Sequence, residues 1–274
     1  MKVSGIITLT TDFGLTDPYV ALMKGVILSI NPSARIIDVT HGVEGGAILQ
    51  AAFLMGETYR FFPKGSIHVA VIDPGVGTAR RPILVITEDH LFVGPDNGLF
   101  WPVISGPEHR RCVHLTDPAF FLSRVSHTFH GRDIFAPVAA HLSLGVDPLR
   151  MGPAIADPRR LNVPAPTQKG DALSGRIIRS DNFGNLVSNI HGSVLERFLG
   201  NARLLITIGE LRIEGMAVTY GDVEPGEPLA LLGSSGYLEI AVNRGRACDL
   251  HRFGPGTIAG KEVLIVRDPG SAVK

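Results

Sequence analysis

Cysteine is nearly missing from this chain: among 274 residues there are two, Cys112 and Cys248. Two thiols cannot build a disulfide framework or a cysteine zinc site, so both are expected to be reduced and buried. Net charge is missing too, because 26 basic residues balance 26 acidic ones. That removes the electrostatic footprint of a general nucleic-acid binder. No run of 18 apolar residues occurs, and the uncharged stretch 45–56 is too short to span a bilayer, so no membrane partner is expected. The opening Met1-Lys2-Val3-Ser4-Gly5 leads straight into a strand-like run, with no apolar signal region and cleavage site, and a cytoplasmic location is expected. What is present is 45% apolar residues, which excludes disorder, and 32 glycines with 19 prolines, which imply many tight turns.

The first half alternates strand and helix signals. Ile6-Ile7-Thr8-Leu9-Thr10 is a β-branched run ending in the polar turn Thr11-Asp12-Phe13-Gly14. Asp17 is suited to cap a helix and Pro18 to open it. Val20, Met23, Val26, Ile27 and Ile30 then recur at helical spacing until Asn31-Pro32 stops the pattern. Strands are expected over 35–40, 66–72, 82–87 and 91–93, and helices over 47–61 and 133–144, the last with a bend at Pro137. The pattern predicts a layered α/β domain over 1–147 with a mainly parallel sheet. Pro148, Pro153, Pro158, Pro164 and Pro166 mark residues 148–170 as a linker. Beyond it, over 171–274, short apolar runs separated by Gly, Asp, Asn or Pro turns predict a small β-barrel or sandwich, with one helical turn near 193–199.

Four polar, glycine-bearing segments follow apolar runs, where open α/β sheets bind ligands. They are Thr11-Asp12-Phe13-Gly14, Asp73-Pro74-Gly75-Val76-Gly77-Thr78-Ala79-Arg80, Gly94-Pro95-Asp96-Asn97-Gly98 and Phe129-His130-Gly131-Arg132-Asp133. Singly, each could be ordinary turn chemistry. The first matches a kinase Asp-Phe-Gly by letter, but no Gly-rich loop, strand lysine or catalytic-loop set accompanies it. The second lacks the G-x-G-x-x-G spacing of a dinucleotide loop and the Gly-Lys-Ser/Thr of a phosphate loop. A metal-dependent phosphohydrolase built on Asp12, Asp73, Asp96, His130 and Asp133 is one alternative, although no Asp-x-His or His-x-His pair occurs among the loops. A non-catalytic adenosine- or nucleotide-binding module is another.

These segments, in this order, resemble the S-adenosyl-L-methionine (SAM) hydroxide adenosyltransferases, a family of SAM hydrolases related to fluorinating and chlorinating enzymes. The likeness continues at Asp181-Asn182-Phe183-Gly184-Asn185 and Ser234-Ser235-Gly236-Tyr237-Leu238-Glu239 and so covers essentially the whole chain. The resemblance implies an N-terminal α/β domain, a C-terminal β-barrel and a homotrimer with sites between subunits. It implies hydrolysis of SAM to adenosine and L-methionine; no cofactor or metal is expected, because the sulfonium needs no Lewis acid. It places the catalytic set on Asp73, Arg80 and His130, and the ribose-binding carboxylate on Asp12. It places methionine and adenine contacts on Asp181 and Asn185 and on Ser234, Ser235 and Glu239.

The chemistry suits these residue types. The sulfonium of SAM already activates the ribose 5′ carbon, so the enzyme must align a water with the departing sulfur and raise its nucleophilicity. Alignment supplies roughly 7–11 kcal/mol in favourable cases, and a general base about 10²–10⁴-fold. Arg80 is always charged and cannot be that base. Asp73 or His130 must take the proton, and the sequence leaves the choice open. Asp73 also bears on the nucleophile. Two like charges 4 Å apart at an effective dielectric of 20 repel by about 4 kcal/mol, so a carboxylate there opposes a halide and favours neutral water.

Overall fold

The computed structural model describes residues 2–106, 110–199, 203–250 and 258–268. The chain divides into two compact units, Met1–Asn162 and Val163–Lys274. The proline-rich stretch therefore stays with the first unit as far as residue 162. Within it Ala154–Ile155 pairs with a sheet strand, and Asp157 forms an ion pair with Arg81 at 2.9 Å.

The first unit carries strands β1 (Ile6–Thr11), β2 (Arg35–Thr40), β3 (Ile67–Val71), β4 (Pro82–Ile86), β5 (Leu91–Pro95), β6 (Arg111–His114) and β7 (Ala154–Ile155), in the spatial order β2-β1-β3-β5-β4-β6-β7. Its helices are α1 (Tyr19–Ile30), α2 (Ile48–Thr58), α3 (Trp101–Ile104) and α4 (Ala136–Ser143). Side chains alternate across a strand, and here the alternation separates two cores. Ile67, Val69 and Val71 of β3 pack with Met23 and Ile27 of α1 and with Val138 and Leu142 of α4. Ala70, and Ile72 just beyond the strand, pack with Ala51 and Met55 of α2 and with Val103 of α3. Both faces of the sheet are thus covered, which is why β3 reads as one continuous apolar run.

The sheet is mixed rather than mainly parallel. The pairs β1–β2, β1–β3 and β3–β5 are parallel, whereas β4–β5, β4–β6 and β6–β7 are antiparallel. The four-residue link from β4 to β5 is the cause: a connection that short joins only antiparallel strands. The arrangement also returns the chain after β3 to the edge it left. Because β4 runs against β3 and β5, residues 73–81 remain at the carboxyl edge where β1 and β3 end.

Two local expectations change. Asp17 does not cap α1; Pro18 occupies the cap position with no side-chain hydrogen bond there. The helix expected over 133–144 instead opens as a π-helical turn, Gly131–Phe135, before α4 begins. Pro137 has no N–H to give to the Asp133 carbonyl four residues back. That carbonyl accepts from Leu122 N at 2.9 Å.

The second unit is an eight-stranded antiparallel sheet. Its strands are β8 (Thr167–Lys169), β9 (Ala172–Ser180), β10 (Leu186–His191), β11 (Arg203–Ile208), β12 (Leu211–Glu214), β13 (Pro228–Leu232), β14 (Tyr237–Val242) and β15 (Glu262–Asp268). The path runs β12-β11-β15-β9-β10-β14-β13, with β8 on β9. The end strands β12 and β13 approach each other without pairing, so the sheet is barrel-like. Helix α5 (Gly192–Leu199) packs Leu195 and Phe198 into its core. Both cysteines are free. Cys112 is buried, and burial pushes its thiol up to about 11, whereas Cys248 is only half-buried.

Candidate active site

In the first unit, β1 and β3 lie side by side in parallel, with Thr11 opposite Val71. Asp12 and Asp73 therefore leave the sheet close together. Both line a cleft of about 430 Å³ whose other walls include Phe13, Tyr19, Gly46, Phe129 and His130. That volume lies within the range of small-ligand sites. Asp12 accepts a hydrogen bond from Gly46 N at 2.9 Å through Oδ2. The second oxygen remains for hydroxyl donors.

The loop after β3 folds on itself before β4 begins. Thr78 donates its hydroxyl to the Gly75 carbonyl at 2.7 Å and accepts from Arg80 N at 3.3 Å. This turn swings Arg80 back over Asp73. The guanidinium meets the carboxylate as a two-pronged fork, with Nε 3.1 Å from Oδ1 and Nη2 in contact with Oδ2. The Asp73 and Arg80 side chains are only 4% and 5% exposed. Gly77 brings the next wall into place. Its φ is +75°, and a Cβ there would collide with the backbone oxygen of His127. Only glycine lets the two loops approach so closely.

Arg80 Nη2 also lies 3.1 Å from His130 Nδ1. An arginine has only donors, so Nδ1 must present its lone pair, and the imidazole is neutral with its proton on Nε2. The electrostatics agree. Burial first and the Arg80 charge second hold the His130 pKa below its ordinary value. The remaining nitrogen, Arg80 Nη1, is buried and meets no acceptor among the described residues.

The carboxylates of the metal reading do not converge. Asp73 is held by Arg80, Asp96 by Arg81 and Asp133 by Arg132. Each already carries a compensating cation, which suits none of them to a divalent ion. Among the described residues, no group of three or more His, Cys, Asp or Glu is arranged to hold one.

A model of the SAM hydroxide adenosyltransferase N-terminal domain matches residues 7–152, and one of the C-terminal domain matches residues 175–259. The chain belongs to the SAM hydroxide adenosyltransferase family. It is 41% identical to the (R)-S-adenosyl-L-methionine hydrolase of Salinispora tropica, over 91% of this chain and 95% of that one. It is 36% identical to the protein of the same name from Thermus thermophilus, covering 86% and 91%. A fluorinase of Actinoplanes is 30% identical over 87% of this chain and 91% of its own length. A solved structure from Thermotoga maritima, titled an uncharacterized conserved protein, superimposes with a TM-score of 0.86 at 34% identity, covering 95% of this chain and all of that one.

In this family member the second unit gathers the other sequence candidates. Asp181 and Asn185 close one loop on each other. Asp181 accepts from Asn185 N at 2.8 Å and from Nδ2 at 3.0 Å. Glu239 faces Val187 across the β10–β14 pair, and Tyr220 donates its hydroxyl to Glu239 at 3.2 Å. Ser234 and Ser235 sit in the turn between β13 and β14, where Ser235 Oγ is buried and meets no partner among the described residues. Tyr220 escaped the sequence reading; its pKa is raised by burial first and by the Glu239 and Asp181 charges after it. Tyr19 escaped too. It completes an aromatic wall, with ring centres 5.8 Å from Phe13 and 5.2 Å from Phe129. In sequence it is simply the first residue of a helix, and no spacing signals that it faces a cleft.

Proposed function

We propose that this protein hydrolyses S-adenosyl-L-methionine, the (R) form named for its relatives, to adenosine and L-methionine. The supporting observation is that Asp73, in its fork with Arg80, lines the same cleft as Asp12 and His130. Asp12 accepts the ribose hydroxyls through the oxygen that Gly46 leaves free. The 5′ carbon is then presented to the wall formed by Asp73 and His130.

The attacking water is held by Asp73, which lines the cleft and accepts one of its hydrogens; Arg80 acts through its fork with that carboxylate. The water oxygen bonds to C5′ as the C5′–S bond breaks. The bond pair passes to sulfur, leaving the neutral thioether of methionine; the proton that faces Asp73 is lost to that carboxylate, and the other stays on the new 5′ hydroxyl of adenosine. His130 does not take the departing proton at Nδ1, whose lone pair already faces Arg80. The role of His130 is to hold the arginine and donate from Nε2. The Asp73 carboxylate faces the cleft, so an entering halide meets a like charge that Arg80 offsets only in part, whereas neutral water meets no such opposition.

Asp181, Asn185, Ser234, Ser235 and Glu239 are assigned to the methionine and adenine parts through the family resemblance, as is a homotrimer in which a neighbouring copy supplies them. Light scattering that gives a monomer at full specific activity would refute the assembly. The reaction is tested by incubating the protein with SAM in ¹⁸O-water. Adenosine labelled at the 5′ oxygen and free methionine are expected. Methylthioadenosine or S-adenosylhomocysteine as the main product would overturn the assignment.

A further inference from the structure

His41 is buried at the end of β2, 6% exposed, and the hydrolysis described above makes no use of it. From its contacts we infer that His41 is a positioning residue for the ribose-binding carboxylate Asp12, an inference that rests on the role proposed for Asp12. The imidazole Nδ1 lies 2.8 Å from Thr11 Oγ1. That hydroxyl already accepts from Phe13 N at 3.2 Å, so its own hydrogen is free to go to Nδ1. The His41 proton then sits on Nε2, which faces Asp38 Oδ1 at 3.0 Å. The approach to Asp38 is oblique, and Nε2 has no well-directed hydrogen bond, so this contact is electrostatic. Asp38 is in turn paired with Lys24 of α1 at 2.5 Å. From Phe13 N–H through Thr11 to His41 each donor thus meets an acceptor, and the series continues through the close His41–Asp38 contact to the Asp38–Lys24 ion pair.

His41 grips the Asp12 loop a second time through its backbone, accepting from Gly14 N at 2.8 Å. It stands, moreover, five residues before Gly46, whose N–H fixes Asp12 Oδ2. His41 therefore holds the turn that carries the carboxylate twice, by its imidazole and by its backbone carbonyl, and it begins the segment that leads to Gly46. Among the described residues, no hydrogen bond or ion pair joins this path to Asp73, Arg80 or His130. The consequence is selective. Loss of the imidazole should loosen ribose binding and leave the water-activating fork intact.

The test uses the full-length protein with SAM for kinetics and adenosine for binding. His41→Leu is expected to raise KM and the adenosine Kd by roughly tenfold, the size of one buried hydrogen bond lost, while kcat changes by less than about threefold. His41→Asn, whose amide oxygen can still accept from Thr11, should recover most of the affinity. Thr11→Val, which removes only the hydroxyl, should reproduce the leucine variant and serves in its place if that variant does not fold. In an Asp12→Asn background, His41→Leu should add little, because the carboxylate it positions is already gone. Unchanged KM and Kd would overturn the inference. So would a fall in kcat alone, or full additivity with Asp12→Asn. Should the wild-type protein bind adenosine but release no methionine from SAM, the hydrolase reading fails while the adenosine series still decides the role of His41.

Discussion

At the residue scale, Arg80 fixes the protonation of His130. A protonated His130 would set two donors face to face, so the active form carries neutral imidazole. Its pKa lies below the ordinary value of about 6.5. On raising the pH, the required form is therefore already populated before 6.5, and kcat/KM should fall only on the acid side of that value. In His130→Asn, which keeps an acceptor but does not titrate, that acid limb should disappear from the pH–rate profile. A limb centred above 6.5 in the wild type would contradict the geometry. Asp73→Asn keeps the volume and loses the charge. Turnover should drop by about 10²-fold or more, with KM little changed. Asp12→Asn should instead raise KM as well, because it removes ground-state contacts to the ribose. Near-normal turnover of Asp73→Asn with intact circular dichroism would reduce Asp73 to a turn residue.

At the scale of elements, loops supply the chemistry and strands supply its address. The sequence announced the strands well, because β1 and β3 are buried β-branched runs with clear turn residues behind them. It announced the Asp73 loop through its glycines, and Gly77 shows why. Gly77→Ala would force a left-handed φ on alanine and press a methyl group against the His127 carbonyl. The expected outcome is about 1–3 kcal/mol of lost stability and a marked fall in kcat as the His130 loop is displaced. A denaturation midpoint and turnover equal to wild type would refute this. Sheet direction was legible only in part: the short link between the strands expected over 82–87 and 91–93 already demands an antiparallel pair, whereas an apolar run by itself says nothing about which way its neighbour points. The π turn was illegible for a related reason. Residues 133–144 carry good helical periodicity, and only the pairing of Leu122 N with the Asp133 carbonyl, a contact distant in sequence, discloses the change of register. Tyr19 and Tyr220 were hidden because single aromatics at element boundaries have no pattern to belong to.

At the scale of the whole molecule, the first unit contains a buried acid-sensitive cluster. His68 of β3 bonds Thr8 of β1 through Nδ1 at 2.9 Å and meets His90 through Nε2 at 3.2 Å. Burial, and then the neighbouring His90, lower the His68 pKa from 6.5 to about 3. Below 6.5 the unfolded chain takes up a proton that the folded one refuses. Stability conferred by neutral His68 is thus complete above 6.5 and is lost as the pH falls toward 3. Urea denaturation of the first unit should show this decline. His68→Leu should flatten it, although the variant will be less stable at pH 7 because Thr8 loses its partner. An equally steep decline in the variant would assign the acid sensitivity elsewhere.

The spacing of the fork and its histidine also has a kinetic meaning. Asp73 and Arg80 are 7 residues apart, whereas Arg80 and His130 are 50 apart. The entropy of closing a loop grows with the logarithm of its length, and the difference between these two closures is about 1.7 kcal/mol. During refolding the ion pair can therefore form locally and early, while the imidazole reaches it only after the chain between them, including β4, β5 and β6, has settled. Regain of catalytic competence should accordingly trail the regain of secondary structure, with the last delay set by the docking of the loop that ends in His130.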